Sequence, residues 1–301
     1  MKRKIVQLGK STLVVSLPAK WSRKYGLKPG EELDVEEQER NLKISTEKGF
    51  QISKATVDLI KINNLLKRLV AALYLAGYDE IEVKLDSIQK AREIQKRAKE
   101  LIGMEIVNQS KDFLELREIS QISEESFEPM LRRVFLLLLS ISEESEKAIL
   151  ASQTDLEYIK DMETNINNFT DYCFRVLNKI GYTKPNKTPD VYCLVNNLEL
   201  LGDEYKKLVA FITDKNIKLS AQNKKIYSEI NKLLRELYNT YYKYSNENAI
   251  KVANHRDEII RTTEQSLNNA KSVKEALLLQ RFQIIVELII NTLGHVLVIE
   301  S

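Results

Sequence analysis

The sequence is poor in the residues that build covalent or metal-based scaffolds. It contains two cysteines and two histidines in 301 residues. Cys173 and Cys193 give no disulfide framework, so we expect a reducing, cytoplasmic environment. His255 and His295 are 40 residues apart with no cysteine pair nearby, which argues against a zinc site.

Long apolar runs are also missing. Val134–Leu139 is uninterrupted but far too short to cross a bilayer. Phe282–Ile299 is nearly long enough, yet Glu287, Asn291 and His295 interrupt it. We therefore expect a buried bundle helix there and no membrane insertion. The basic N-terminus runs into alternating residues rather than an apolar stretch, so we expect no cleavable signal.

A nucleotide-binding loop is absent, although residues 9–12 read Gly-Lys-Ser-Thr. A P-loop needs a glycine five residues before the Gly-Lys pair, and Lys4 stands at that position. The chain also has no nucleophile–base pair and no histidine within a carboxylate cluster. We therefore expect that the protein is not an enzyme.

Acidic residues are missing from residues 1–30, which hold eight Lys or Arg and no Asp or Glu. The rest of the chain carries 38 basic and 43 acidic residues. A basic end on an acidic remainder predicts a polyanion partner. The alternative is that these are solvating charges on a dimerisation module, but a solvated surface normally mixes both signs.

The basic end, residues 1–47, is predicted to be a small β domain, which we call the head. Apolar residues alternate with polar ones in four short segments, which predicts strands near Ile5–Leu8, Leu13–Leu17, Leu33–Val35 and Leu42–Ser45. A short helix between the second and third strands is bounded by Pro18 and Gly26. On that helix Trp21 and Tyr25 share an apolar side, and Lys20, Arg23 and Lys24 lie on a separate arc.

A unit of about 47 residues buries little surface by itself, and its strand edges would be exposed. We therefore expect two chains to share one β core. Such a homodimer presents its positive charge with two-fold symmetry, which suits double-stranded DNA.

Residues 7–35, QLGKSTLVVSLPAKWSRKYGLKPGEELDV, resemble the swapped-hairpin DNA-binding domain of the AbrB/SpoVT/MazE families. The resemblance implies phosphate contacts from basic residues of the first strand, hairpin and helix. Ser22 stands where the family has a helix arginine. The DNA-binding residues implied here, with two neighbours on the helix, are Lys2, Arg3, Lys4, Lys10, Lys20, Arg23 and Lys24.

Residues 50–120 are predicted to form an α/β spacer domain. A helix is expected over Thr56–Ala76, a strand over Ile81–Leu85 and a charged helix over Ser87–Ile102. Two further strands are expected over Met104–Val107 and Phe113–Ile119. No catalytic constellation occurs in this segment, so we expect it to serve packing.

Residues 121–301 show apolar residues at helical spacing throughout, with few glycines and prolines. They predict an antiparallel bundle of two three-helix repeats, about 124–216 and 219–301. The expected helices are about 124–150, 154–180, 189–214, 219–245, 247–270 and 273–299. The fold class is thus mainly α and multidomain, with a swapped-hairpin β domain, a small α/β segment and a helical bundle.

A carboxylate cluster is expected on the first repeat. Glu199 and Asp203 are four residues apart and project from one helix face, and Glu163 on the preceding helix is placed to join them. Three oxygen donors suit Mg²⁺, Mn²⁺ or an iron ion. The alternative is a charged helix surface with ordinary neighbours.

The motifs "LELLGDE" (residues 198–204) and "DMETNINNFTDYCFR" (residues 161–175) resemble those of PhoU, the regulator of phosphate uptake. The resemblance covers residues 124–301 and implies a metal site of Glu163, Asn167, Glu199 and Asp203. Asn167 stands where that family usually has Asp.

Two functions follow from the basic head together with what the two resemblances imply. The first is a DNA-binding regulator of phosphate uptake or homeostasis, whose helical domain senses a signal or partner. The second is a PhoU-type adaptor that acts on a phosphate transporter or sensor, with the head serving mainly for dimerisation.

Overall fold

The computed structural model describes residues 2–38, 41–46, 53–120, 122–151 and 156–301. The chain divides into two compact units, Met1–Ser53 and Lys54–Ser301. The boundary expected between the head and the spacer, at residues 47–50, lies outside the described residues, as does the expected start of a helix at residue 154.

The N-terminal unit consists of two hairpins joined by a helix. Strands β1 (Val6–Leu8) and β2 (Thr12–Val14) pair antiparallel, as do β3 (Asp34–Gln38) and β4 (Asn41–Ser45). Helix α1 (Ala19–Lys24) lies between them in the chain. The predicted order of strands and helix is confirmed, although β2 is shorter than expected. Each hairpin forms its own two-stranded sheet.

The apolar residues of this unit lie mostly at its surface. None of its described side chains is buried. Those with 37% to 68% of their surface exposed are Ile5, Val6, Leu8, Leu13, Val14, Val15, Val35 and Leu42. Trp21 and Tyr25 are half-buried, with ring centroids 5.6 Å apart. The described part of one chain therefore gives the head no apolar core of its own.

The second unit begins with a four-stranded sheet that carries two helices. The elements are β5 (Lys54–Asp58), α2 (Leu66–Leu75), β6 (Glu80–Lys84), α3 (Ile88–Ala98), β7 (Met104–Gln109) and β8 (Phe113–Glu118). The strand order is β5-β6-β8-β7, and β5 runs parallel to β6 while the other neighbours are antiparallel. The helices and the sheet enclose a small core that includes Val70, Tyr74, Ile81 and Ile94.

The helix predicted over Thr56–Ala76 is wrong in its first half. Residues 54–58 form β5 instead, because they pair along their whole length with β6. Between β5 and α2 the backbone of Lys61 and Leu65 adopts positive φ angles of 63° and 67°, which a helix does not allow. The second half of the prediction is confirmed as α2.

Among the described residues six long helices complete the unit, and they confirm all six predicted helices. They are α4 (Phe127–Ala151), α5 (Leu156–Lys179), α6 (Thr188–Asp214), α7 (Ala221–Tyr242), α8 (Asn246–Asn268) and α9 (Val273–Glu300). The last three each follow a serine whose Oγ accepts a hydrogen bond from a backbone N–H three residues later; these serines are Ser220, Ser245 and Ser272.

The six helices pack as two triplets around one continuous core. Helices α4, α5 and α6 contact one another, as do α7, α8 and α9, and the triplets meet through α6 with α9 and α4 with α7. By length and composition alone, α9 is apolar enough to cross a membrane. Here ten of its residues are buried, and nine of these belong to the apolar core.

A buried ionic cluster joins the sheet to the bundle. The side chain of Arg175 on α5 is 1% exposed; its Nη1 donates to the Tyr74 carbonyl oxygen at 2.6 Å, and its Nη2 lies 3.3 Å from Glu118 Oε2. Lys179, one turn further along α5, contacts both Glu118 and Asp79. Burial, together with the hydrogen bond to Asp79, raises the pKa of Glu118 above its ordinary value despite these two cations.

Removing the arginine should therefore weaken the junction. We expect Arg175→Met to lower the free energy of unfolding by about 3 kcal/mol, since it leaves buried carboxylates short of a counter-charge. Arg235→Met is the matched control, because Arg235 pairs with Glu143 on the surface, where such pairs contribute about 1 kcal/mol or less. Urea denaturation measures both. Equal losses in the two variants would contradict a structural role for the cluster.

Candidate nucleic-acid interface and carboxylate cluster

The predicted DNA-binding side chains all lie at the surface of the N-terminal unit. Three precede β1, one is in the turn between β1 and β2, and three are on α1; in chain order they are Lys2, Arg3, Lys4, Lys10, Lys20, Arg23 and Lys24. Among the side chains that the structure describes, no carboxylate forms an ion pair with any of them. All seven side chains are exposed, so an external anion can reach them.

Helix α1 separates its basic and apolar sides. Trp21 and Tyr25 are half-buried, while Arg23 is exposed and its Nε donates to the Ala19 carbonyl oxygen at 3.2 Å. The helix begins directly after Pro18, and Gly26, with a φ of 60°, ends the turn that follows it. This left-handed position favours glycine, and the predicted helix bounds are confirmed.

The second candidate site is on the facing sides of α5 and α6. Asp203 follows Gly202, where α6 approaches α5 closely: a Cβ at Gly202 would lie 3.1 Å from Cδ1 of Ile166. The close approach brings Glu163 of α5 to the carboxylates of α6. Interactions with Glu163 influence the pKa of both Asp203 and Glu199, as expected for neighbouring groups.

A lysine that sequence reasoning missed lies between two of these carboxylates. Lys206 Nζ is 2.6 Å from Glu163 Oε1 and 2.9 Å from Asp203 Oδ1. Its position three residues after Asp203 was visible in the sequence, but its reach to α5 depends on helix packing. Asn167 Nδ2 also donates to Glu163 Oε1 at 2.7 Å, and Asn167 Oδ1 is buried without a partner among the described residues.

The protonation of the cluster follows from burial and charge. Burial and the nearby carboxylates, first Asp171 and then Asp203 and Glu163, raise the pKa of Glu199 to about 7. For Asp203, burial alone would raise the pKa, but hydrogen bonds with Lys206 and Glu163 lower it below its ordinary value. The cluster thus contains one carboxyl group, that of Glu199, whose pKa lies near neutral pH, and another, that of Asp203, that stays ionised at that pH.

The four expected metal ligands lie near one another, and two of them already have a cationic partner. Lys206 already supplies a positive charge to Glu163 and Asp203. In the described part of the chain, no group of three or more His, Cys, Asp or Glu side chains is placed to hold a metal ion. The metal site stays a prediction.

One comparison with known proteins concerns the head. Residues 6–51 match the family model described as "Antidote-toxin recognition MazE, bacterial antitoxin". The N-terminal unit contains a MazE/AbrB-like domain. Domains of this type commonly dimerise and bind DNA, so the match suggests a DNA-binding or antitoxin-like regulator. It ends at residue 51 and carries no information on the helical bundle.

Neither the curated proteins nor the solved structures contain a significant match to this chain.

Lys206 allows a test of whether the cluster has the capacity to hold a metal. Lys206→Met removes the bridging ammonium, so we expect Mn²⁺ to bind more tightly than in the parent protein and to raise the melting temperature. Lys207→Met is the control, because Lys207 lies 3.5 Å from Asp203 Oδ2 and pairs mainly with Glu204. Calorimetric titration with Mn²⁺ measures the affinity. Identical Mn²⁺ affinities in both variants and the parent would show that the carboxylates are ordinary ion-pair partners.

Proposed function

We propose that this protein is a dimeric DNA-binding regulator of transcription whose head binds double-stranded DNA mainly through the phosphates. The observation that carries the proposal is the set of seven exposed basic side chains. Residues 1–30, which contain all seven, include no Asp or Glu. Neutralising phosphates releases bound counterions, and that release supplies most of the affinity in such complexes.

Dimerisation of the head is part of the proposal. Eight large apolar side chains of the N-terminal unit are exposed in a single chain, and its two hairpins do not pair with each other. A second copy supplies strands and apolar surface of the same kind, so two chains complete one core. The basic residues then occur twice, related by a two-fold axis that matches the pseudo-symmetry of duplex DNA.

The role of the helical domain rests on its resemblance to PhoU. The arrangement of α4–α6 and α7–α9 as two packed triplets agrees with the two repeats expected from that resemblance. On this basis the protein regulates phosphate uptake or homeostasis in the cytoplasm, and the helical domain receives the signal.

The alternative function is a PhoU-type adaptor that acts on a phosphate transporter or sensor. The observation that favours it is the exposed apolar surface of the head, which dimerisation explains without DNA. An antitoxin-like role, in which the domain binds a protein, is related to this alternative. Affinity for DNA and its salt dependence separate these functions from the first.

The salt dependence of DNA binding tests the proposal directly. Each phosphate contact contributes about 0.9 to the slope of log affinity against log salt on B-form DNA. Arg3→Ala removes one contact per chain, so for a dimer the slope should flatten by about 2. The control is Arg261→Ala, an exposed arginine on α8 that should leave the slope unchanged. Fluorescence anisotropy with DNA from upstream of the gene, repeated at several salt concentrations, gives the slopes.

Two further variants of α1 separate binding from folding. Arg23→Ala should weaken DNA binding while the head stays folded, because Arg23 is exposed. Trp21→Ala should instead lower the stability of the head, by less than the roughly 3 kcal/mol typical of a fully buried tryptophan because Trp21 is half-buried in one chain. Parent-like affinity and slope in both arginine variants of the head would favour the adaptor function.

A further inference from the structure

A cleft opens in the bundle far along the chain from the head. Its walls come from α4, α7 and the start of α8, and its volume is about 630 Å³. Small-molecule sites in proteins usually have about 300–1,000 Å³. The volume is therefore large enough for a metabolite and much larger than a single inorganic ion requires.

One side of the cleft is aromatic. Tyr238 and Tyr242 line it, with ring centroids 5.0 Å apart, and both rings pack against Phe135 of the core. The Tyr242 hydroxyl is buried, so this tyrosine contributes its ring and not its hydroxyl to the cleft. An aromatic ring offers a flat apolar surface.

The rim of the cleft is basic. Arg132 lies over the Tyr242 ring, with its Cζ 5.5 Å from the ring centroid, and Lys243 and Lys251 line the same cleft. In the described ranges no carboxylate pairs with any of these three cations. The one carboxylate in the lining, Glu236, is hydrogen-bonded to Nδ1 of His255 at 2.9 Å. The rim therefore carries positive charge that an anion would neutralise.

We propose that this cleft binds a nucleotide, with its phosphates on the three cations and its base against the tyrosine rings. The rings offer stacking to a planar base, and the guanidinium and ammonium groups suit phosphate oxygens. A free phosphate would use the rim but leave the aromatic side empty. The inference goes beyond DNA binding by the head, because the cleft lies wholly within the second compact unit and uses none of the head residues.

Neighbouring arginines on α4 provide a matched pair for the test. Arg132→Ala removes a cation of the cleft, whereas Arg133→Ala removes another exposed arginine, which lies over the Phe169 ring instead. Isothermal titration of the full chain with ADP, GDP and UDP should detect binding of at least one of them. Arg132→Ala should reduce that affinity about tenfold or more, and Arg133→Ala should leave it unchanged.

Two tyrosine variants test the aromatic side. Tyr238→Leu removes one ring from the cleft and should lower nucleotide affinity about fivefold, since base stacking on that ring is lost. Tyr241→Leu is the control, because Tyr241 contacts Tyr242 but does not line the cleft.

Three results would overturn the proposal. The first is no binding of any of the three nucleotides up to about 1 mM. The second is equal affinity in Arg132→Ala and Arg133→Ala. The third is binding of inorganic phosphate as tight as that of the best nucleotide, which would leave the tyrosines without a role. None of these outcomes depends on DNA binding by the head, so the two proposals fail separately.

Discussion

In a single chain the described part of the head leaves most of its large apolar residues exposed, and the proposed assembly follows from that constraint. Leu13 and Val6, on neighbouring strands, are 66% and 57% exposed. Such surface in a small β unit is stable only when another surface covers it. In the proposed dimer a second copy covers it and at the same time doubles the basic residues, so one physical requirement would serve both folding and DNA binding.

The second compact unit, in contrast, buries many of its apolar residues within one chain. Its six long helices bury a continuous core, and the four-stranded sheet with α2 and α3 encloses a separate small core. The junction between the two includes the ionic cluster around Arg175 and Lys179 of α5, and Leu75 packs against both cores. Because buried charges are costly unless paired in a defined geometry, we expect this cluster to specify how the sheet docks on the bundle. The carboxylate cluster and the basic cleft are therefore built on long, well-packed helices rather than on loops.

Much of this fold was predictable because its signals are local. Helical periodicity over more than 20 residues predicts all six bundle helices. Pro18 and Gly26, which bound α1, predict that short helix. Strand β5 is not predicted, because a short segment that precedes a helix resembles the first turns of that helix. Only its pairing with β6 identifies it as a strand. Lys206 was missed because its contact with Glu163 spans two helices. The cleft was missed for the same reason: Arg132 and Lys251 are far apart in sequence, and only the packing of α4 against α7 and α8 brings them to one surface.

The central claim is that the head is complete only as a dimer, and the mass of the full chain tests it most directly. Leu13→Asp places a charge on the apolar surface of the head, while Ile250→Asp does the same at a comparably exposed position on α8. Analytical ultracentrifugation should show a dimer for the parent and for Ile250→Asp, and dissociation together with loss of DNA binding for Leu13→Asp. A parent protein that is monomeric at micromolar concentration with a folded head, or a Leu13→Asp variant that remains a dimer and binds DNA normally, would contradict the account.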